Sequence, residues 1–506
     1  MAETKAEMLE EVSESAIPGM VKKLRESFRS GKTREKSFRI QQLKNLLRML
    51  DEKEDEITEA GHRDLRKKKQ DMVFNEFLNT KGEIIDAINN LDEWMKPEHV
   101  KKDLANIINT LCIQRDPLGV VCVFSAWNYP VVLLLQPLAG AIAAGNTVLL
   151  KPSDLAIHTS NVMMKLIPQY LDKDCYMVAG GGVPLCQAVL KERFDHIIYT
   201  GSSGVGKIIM RAAAEHLTPV TLELGGKNPC VVDSSANIKV AGKRIAWGKY
   251  VNCGQTCLAP DYILCNQSIR DELVTSIKTA VKQFYGENPK ESKDYSRMIN
   301  ARQFDRVHAL LDGSGNVVLG GKSESDRDDL YIAPTIITDV KPDDTIMQDE
   351  IFGPILPIIC IDNIDDAIDL INDGEKPLSL CAFTSDKSVK EKLTTRTSSG
   401  AISFNDVIVH FAVRTLPFGG VGHSGQGAYH GKFTFDTFSH KKAYYSTFTG
   451  ITEPLMKIRY PPFTDGNIKT GKKLLVPKVK EGSSFLTYIL LTCLAVAVIA
   501  IVLQFQ

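Results

Sequence analysis

Short apolar runs rich in β-branched residues alternate with helix-like segments through the middle of the chain, and this alternation limits the possible folds. The run LGVVCVF (118–124) is strand-like, the apolar stretch 131–144 predicts a helix, and NTVLL (146–150) is strand-like again. Three further helix–strand pairs follow, over 158–170 and 175–179, 184–191 and 196–200, and 204–214 and 220–224. Strands joined through helices form βαβ units, so we predict an α/β fold with a parallel sheet covered on both faces.

A second set of such units occupies residues 238–401, with polar turns such as LDGSGN between them. A chain of 506 residues is too long for one core. We therefore predict two doubly wound parallel-sheet domains with a boundary near 223–226. Residues 21–109, which precede both sets, have apolar residues at three- and four-residue spacing among charges and predict helices.

The charge balance and the cysteines narrow the class of protein. Lys plus Arg and Asp plus Glu both count 61, so no net field attracts nucleic acid, and we expect no nucleic-acid partner. The eleven cysteines are odd in number and lie mostly in apolar runs, which is typical of free thiols in a reducing compartment. The first fifteen residues contain no apolar stretch, so we expect no signal peptide.

The segment 485–503 is uncharged over 19 residues. As a helix it would reach about 28 Å at about 1.5 Å per residue, close to the thickness of a hydrocarbon core. Lysines precede it at 472, 473, 478 and 480, and a positive flank stays in the cytosol. We predict a C-terminal transmembrane helix; the alternative is a buried core helix.

The strongest local signal is NCGQTCLAP (252–260), in which glycine and small polar residues surround Cys257. A reactive thiol needs that room for a substrate carbon and for nearby N–H groups. Cys253 and Cys257 could instead be a metal pair, but no second Cys or His pair follows at zinc spacing, so we predict no metal site. The pattern alone also permits a merely structural Cys257.

Two further segments carry candidate polar groups. In TLELGGKNP (221–229) Glu223 ends an apolar strand before two glycines, as a turn cap or as a general base would. In SAWNYP (125–130) Asn128 follows the LGVVCVF strand, at the end where open α/β sheets bind ligands. Asn128 could brace the loop or donate to a developing oxyanion.

Two glycine clusters resemble nucleotide motifs. GSSGVGK (201–207) nearly matches the P-loop, but Ile208 stands where that motif needs Ser or Thr. A helix N-terminus with glycines still allows backbone N–H groups to approach a phosphate. GVGHSG (420–425) matches GxGxxG, but no βαβ unit surrounds it, and we predict a loop there.

Taken together, these segments resemble the aldehyde dehydrogenase superfamily over about residues 21–460. The motifs that carry the resemblance occur in the family's order: SAWNYP, KPSD (151–154), YTGSSGVG, LELGGKNP, NCGQTCLAPDY, EIFGPILP (350–357) and LPFGGVGHSG. GQTCLAPDY, the short N-terminus and SHKK (439–442) are most similar to class 3 members, and the apolar tail narrows the resemblance to the membrane-bound, fatty-aldehyde-oxidising type.

The resemblance implies catalytic roles for three residues. Cys257 would attack the aldehyde carbon, and the amide of Asn128 and the Cys257 backbone N–H would hold the oxyanion of the thiohemiacetal. Hydride transfer would leave a thioester, and Glu223 would activate the water that hydrolyses it to a carboxylic acid.

It also implies a nicotinamide cofactor, NAD in preference to NADP, although NADP stays possible because Asp154 stands where the family usually has Glu. Lys151 is expected at the adenosine ribose, and Glu350 and Phe352 beside the nicotinamide ribose. The expected pyrophosphate-binding residues are Gly201, Ser202, Ser203, Gly204, Val205 and Gly206.

The implied substrates are medium- to long-chain aliphatic aldehydes, with aromatic or other small aldehydes as the alternative and a catalytically silent scaffold as the remote one. Family members of this class imply a homodimer, and the tail implies membrane lipid as a partner, with the catalytic part in the cytosol. The endoplasmic reticulum is the preferred organelle and the peroxisome the alternative. The implied domains are N-terminal helices with the dinucleotide-binding domain (1–222), a catalytic thiol domain (223–425), a bridging or dimerisation segment (426–468), a basic linker (469–484) and the tail anchor (485–503).

Overall fold

The structure, a computed structural model, describes residues 9–448, 453 and 457–477. The predicted spanning segment 485–503 lies outside the described residues. Within them, no helix is both long and apolar enough to cross a bilayer. The chain forms two compact units, one built from residues up to 96 and from 115–441, the other from 97–114 and from 442 onward.

The strands are short, as expected for βαβ units. In chain order they are β1 (Glu98–His99), β2 (Thr110–Pro117), β3 (Val120–Phe124), β4 (Thr147–Lys151), β5 (Tyr176–Val178), β6 (His196–Thr200), β7 (Val220–Glu223), β8 (Pro229–Val232), β9 (Tyr262–Asn266), β10 (Asn316–Leu319), β11 (Thr335–Thr338), β12 (Ile355–Ile361), β13 (Ser379–Phe383), β14 (Ala401–Phe404), β15 (Gly425–Gln426) and β16 (Ser439–Ser446).

The helices lie mostly between these strands. They are α1 (Ile17–Arg29), α2 (Lys36–Glu52), α3 (Glu54–Leu65), α4 (Lys69–Asp71), α5 (Leu78–Met95), α6 (Val132–Ala144), α7 (Ile157–Tyr170), α8 (Val183–Leu190), α9 (Ser203–Ala214), α10 (Ile238–Tyr250), α11 (Gln267–Tyr285), α12 (Ala301–Ala309), α13 (Ile364–Asp373), α14 (Lys387–Arg396), α15 (Lys432–Thr437) and α16 (Asp465–Leu475). A π-helical turn, Met72–Phe77, joins α4 to α5.

The first large sheet has six strands in the order β15-β7-β6-β3-β4-β5. All neighbouring pairs are parallel except β15, which runs antiparallel to β7. Every residue of β3, β4 and α6 is buried, because the helices cover both faces of this sheet and α6 packs inside the core. The predicted alternation of strands and helices in this part of the chain is confirmed.

The second large sheet has seven strands in the order β10-β11-β12-β9-β8-β13-β14. Its pairs are parallel except β10 with β11. The chain leaves the first sheet at the end of β7 and enters the second at β8, so the change of sheet falls between Glu223 and Pro229. The α/β fold with parallel sheets is therefore as predicted.

Two local predictions were wrong. The helical pattern ends at Met95 rather than near 109, because Pro97 cannot continue a helix and residues 98–99 pair with β2 instead. These strands join β16 in a three-stranded sheet, so the segment 97–114 belongs with the C-terminal part of the chain. The glycine-rich stretch 420–425 was predicted to be a loop, but Gly422–Ser424 form a 3-10 helical turn, and Gly425 begins β15 and pairs with Glu223.

Candidate active site

The carboxyl ends of four neighbouring parallel strands bring the predicted groups to one edge of the first sheet. Asn128 follows β3, Lys151 ends β4, Gly201 follows β6, and Glu223 ends β7. Parallel strands in an open sheet place ligands at this edge, and the topology therefore collects residues that lie far apart in the sequence.

Cys257 lies on an irregular loop between α10 and β9. Three consecutive residues of this loop have left-handed backbone angles: Asn252 (φ 51°), Cys253 (φ 54°) and Gly254 (φ 71°). A side chain at Gly254 would meet the carbonyl oxygen of Gly353 at 2.3 Å, so the loop also needs glycine for space. This turn buries Cys253 against Tyr295 and leaves Cys257 beside a cavity.

The cavity has a volume of about 610 Å³, within the range of small-molecule sites. Cys257 and Glu223 both line it. Most of its wall is apolar and much of it aromatic, including Tyr129, Trp247, Phe284, Tyr285, Phe411 and Phe418. Polar residues also line it, among them Gln70, Asp71, Asn75, Asn79 and Asp294. Such a site suits an apolar ligand with one reactive polar end.

Glu223 is the most unusual group in the cavity. Its side chain is 2% exposed, and neither carboxylate oxygen has a hydrogen-bond partner among the described residues. Burial without compensating donors disfavours the charged form, and it raises the pKa of Glu223 well above the usual value. A buried carboxyl group with free lone pairs is suited to accept a proton from a bound molecule.

The thiol of Cys257 is also held in its neutral form. Burial raises its pKa to about 12, and the carboxylates of Glu350 and Glu223 contribute in the same direction. The backbone N–H groups of Cys257 and Leu258 act against this rise. In the protein alone the thiol is therefore protonated at neutral pH, and a base or a nearby positive charge would activate it.

Asn128 is not part of the cavity wall, although its neighbour Tyr129 is. The side chain is 3% exposed, and Nδ2 donates to the carbonyl oxygen of Gln255 at 3.0 Å. The backbone carbonyl of Asn128 accepts from Nδ2 of Asn252 at 2.9 Å. The loop after β3 is thus fastened to the Cys257 loop, and the second N–H of the Asn128 amide is the group that could face a ligand.

Three positioning groups, Asn228, Asn252 and Gln255, were not predicted from the sequence, although each lies in one of the motifs that carry the resemblance. Nδ2 of Asn228 donates to the carbonyl oxygens of Cys257 (2.6 Å) and Ala259 (3.1 Å). Nε2 of Gln255 donates to the carbonyl oxygens of Asn252 and Arg297. The Asn in GGKNP and the Asn and Gln in NCGQTC stand out in the sequence as polar side chains in glycine-rich motifs. Their hydrogen-bond partners could not be predicted from the sequence.

The glycine-rich turn after β6 opens α9. Ser202 caps this helix, its Oγ accepting from the N–H of Val205 at 3.4 Å. A side chain at Gly201 would meet Tyr199 at 2.2 Å, whereas one at Gly204 would meet nothing within 4 Å. Together with Ser203 and Gly206, these residues form an accessible helix N-terminus that suits a phosphate.

The remaining predicted residues lie on either side of this turn. Lys151 is buried, and its Nζ donates to the carbonyl oxygen of Pro152 at 2.7 Å. Burial raises the pKa of Glu350 to about 8, and its carboxyl group lies so close to Gly225 that a side chain there would meet Oε2 at 2.0 Å. Phe352 has a left-handed backbone (φ 46°) and packs edge-on against Trp127 at 5.4 Å.

The sequence profile of the aldehyde dehydrogenase family matches residues 3–444 of the chain. The chain belongs to the aldehyde dehydrogenase family. Its similarity to "Aldehyde dehydrogenase family 3 member A2" of Rattus norvegicus extends over 487 residues at 50% identity and covers 96% of this chain and 99% of the relative. It is also 50% identical over 448 residues to "Aldehyde dehydrogenase, dimeric NADP-preferring" of Rattus norvegicus, covering 88% of this chain and 98% of the relative.

The fold of this aldehyde dehydrogenase is similar to the solved structure of Staphylococcus aureus AldH in a substrate-bound state. The TM-score is 0.87 at 41% identity, with 90% of this chain and 99% of that chain covered. The predicted resemblance to the superfamily and to its class 3 members is thereby confirmed.

Proposed function

We propose that this aldehyde dehydrogenase oxidises aliphatic aldehydes to carboxylic acids through a thiohemiacetal and a thioester at Cys257. The observation that carries the proposal is that the thiol of Cys257 and the buried carboxyl group of Glu223 line the same apolar cavity, and that this carboxyl group has no hydrogen-bond partner among the residues the structure describes. In the first step the thiol proton of Cys257 passes to water in the cavity, Sγ forms a bond to the aldehyde carbon, and the C=O π bond breaks so that the carbonyl oxygen becomes an oxyanion.

The oxyanion would be stabilised by two donors, Nδ2 of Asn128 and the backbone N–H of Cys257. The hydrogen bond from Asn128 to Gln255 holds the amide in place beforehand, so the donor needs little reorganisation when charge develops. When the oxyanion collapses, a hydride leaves the carbon and a thioester remains.

Glu223 would then remove a proton from the water that attacks the thioester. Its raised pKa makes it a stronger base once it is ionised, and its oxygens have no competing donors among the described residues. Attack by the water breaks the C–S bond, and the proton that Glu223 took from the water passes to the departing Sγ, so the carboxylic acid is released and Cys257 returns to its thiol form.

The hydride acceptor would be a nicotinamide cofactor, which supplies an oxidised ring when bound. The turn from Gly201 to Gly206 suits the pyrophosphate because it opens a helix with room for an anion, and the exposed apolar side chains of Val205 and Ile208 suit a flat aromatic ring. Lys151 would hold the adenosine ribose, and Glu350 with Phe352 the nicotinamide ribose. We propose NAD in preference to NADP, and one relative is named as NADP-preferring.

The apolar wall of the cavity supports medium- to long-chain aldehydes as substrates. Each methylene group that moves from water into such a wall contributes about 0.8 kcal/mol. The aromatic side chains also suit aromatic or other small aldehydes, which are the second candidate substrates.

We also propose that residues 485–503 anchor the enzyme in a membrane, with the endoplasmic reticulum ahead of the peroxisome and the catalytic part in the cytosol. The uncharged sequence of this segment supports the anchor.

A homodimer is proposed because a relative at 50% identity is named dimeric. The domain boundaries at 222 and 425 are proposed because the chain changes sheet after Glu223 and returns to the first sheet at Gly425.

The test is a series of straight-chain aldehydes of increasing length, assayed with NAD and with NADP. We expect kcat/KM to rise with each added methylene until the cavity is filled, by up to about fourfold per methylene. A flat or falling series would reject the substrate proposal, and equal NADH production by wild type and Cys257→Ala would reject the enzyme mechanism. A chain lacking residues 485–506 should keep the same length dependence and move to the soluble fraction; if it stays with membranes, the anchor assignment fails.

A further inference from the structure

A buried ion pair lies outside the groups assigned above. Lys67 follows α3, and Glu76 lies on the π-helical turn before α5. Both side chains are 0% exposed, and Nζ of Lys67 lies 2.8 Å from Oε1 of Glu76. Buried ion pairs contribute little net stability, because desolvation offsets their attraction, so the pair is weak evidence of a role in folding alone.

Among the described residues, the other side-chain hydrogen bonds of the pair go to the loop that carries Asn128 and to the first residue of α6. Nζ of Lys67 donates to the backbone carbonyl of Asn128 at 2.8 Å. Oε2 of Glu76 accepts from the N–H groups of Val131 (2.7 Å) and Val132 (3.3 Å). Val131 has no side-chain group able to cap α6, so Glu76 supplies the cap and the negative charge that a helix N-terminus favours.

The same loop is held from the other side by the Cys257 loop. The Asn128 carbonyl accepts a second hydrogen bond from Asn252, and the hydroxyl groups of Tyr129 and Thr256 lie 2.7 Å apart. The ammonium group of Lys67 also lies 3.9 Å from the centroid of the Tyr129 ring. The loop is therefore clamped between the N-terminal helices and the residue that precedes Cys257.

We infer that Lys67 and Glu76 are positioning residues that hold the Asn128 amide at the place where the substrate oxyanion forms. The inference rests on the proposed role of Asn128 as an oxyanion donor. Because neither residue lines the cavity, the pair acts through Asn128 and not on the substrate. A displacement of about 1 Å at such a donor can cost about 100-fold in rate.

The test uses the full chain with its cofactor and compares Lys67→Met/Glu76→Gln with wild type. Changing both residues avoids leaving a buried charge without its partner, so the variant should keep a cooperative thermal transition. We expect kcat for a saturating aldehyde to fall about 10- to 100-fold, with KM changed by less than about threefold. The rate of Cys257 alkylation by iodoacetamide, which needs no oxyanion donor, should stay within about threefold of wild type.

The decisive measurement repeats the change in an Asn128→Ala background. If the pair acts through Asn128, it should cost less than about threefold more there, because the donor it positions is already absent. Losses that multiply in the two backgrounds, or a wild-type kcat for the pair variant, would overturn the inference. If Asn128→Ala itself keeps the wild-type kcat, the proposed oxyanion role fails instead.

One single variant completes the design. Lys69→Met is the matched control, because Lys69 forms an exposed ion pair with Asp55. Its kcat should match wild type, and a comparable loss there would also count against a specific role for Lys67.

Discussion

Replacement of Glu223 by Gln should separate the two halves of the proposed reaction. The side chain keeps its shape but loses its basicity. Neither oxygen of Glu223 has a hydrogen-bond partner among the described residues, so the change breaks no side-chain hydrogen bond to any of them. A positioned general base contributes about 100- to 10,000-fold, which corresponds to about 3 to 5 kcal/mol of barrier. We expect the steady-state kcat to fall by that factor.

Rapid mixing with NAD and excess aldehyde is the assay. Because acylation does not use the Glu223 base in the proposed scheme, the variant should still form the thioester. It should therefore release a burst of NADH equal to the number of active sites, followed by almost no turnover. In wild type the deacylation rate should rise with pH, because burial raises the pKa of Glu223 and ionisation creates the base; the variant should lack this dependence.

Glu83→Gln is the matched control, since Glu83 is also 2% exposed but does not line the cavity. Its kcat should equal that of wild type. A Glu223→Gln variant with undiminished steady-state turnover would refute the assignment of the base. A variant with no burst would show that Glu223 is needed before the thioester forms.

Burial raises the pKa of Glu83 from 4.5 to about 7, so its proton binds more tightly in the folded state than in the unfolded state. The free energy of unfolding should therefore fall by about 3 kcal/mol as pH rises from about 4.5 to above 7. Urea titrations of Glu83→Gln at several pH values should lack this pH dependence. The alkylation rate of Cys257 in the cofactor-free enzyme should keep rising with pH to about pH 12, because burial raises the pKa of the thiol to about that value. Glu350→Gln removes the neighbouring charge with the greater effect on this pKa, so the midpoint of the alkylation profile should move to lower pH. An unchanged midpoint would argue against the electrostatic account. Gly225→Ala should displace the Glu350 carboxyl group, lower the free energy of unfolding by about 1 to 3 kcal/mol and raise KM for the cofactor. In the control variant Gly204→Ala the added methyl group would meet no atom within 4 Å, so this variant should unfold at or above the wild-type temperature.

The sequence alone was enough to predict the layers of the fold. Strands β3 and β4 are buried throughout and read as continuous apolar runs, while helices such as α7 and α9 keep apolar faces at helical spacing. These patterns are local, because the side-chain period of a strand or helix follows from its own backbone geometry. The order of motifs was equally informative, since the carboxyl ends of parallel strands must meet at one edge.

Prediction from local sequence pattern was not possible where a residue contacts a partner that is distant in the sequence. Residues 98–99 are exposed and carry no strand signal, and they become β1 only because β2 lies beside them. No spacing rule links Lys67 to Glu76, or either residue to the Asn128 loop more than fifty positions later. Such contacts depend on how the helices pack, and packing is a property of the whole chain.

The chemistry of the site divides in the same way. The sequence motifs around Cys257 and Glu223 were enough to show that the chain resembles one enzyme superfamily. Only the tertiary structure decided that Glu223 is buried without a hydrogen-bond donor among the described residues, that burial raises the pKa of the Cys257 thiol to about 12, and that Asn128 is fastened to the Cys257 loop. The physical reason is that desolvation and charge act through space, so the pKa of a side chain is set by every neighbour that folding brings near it.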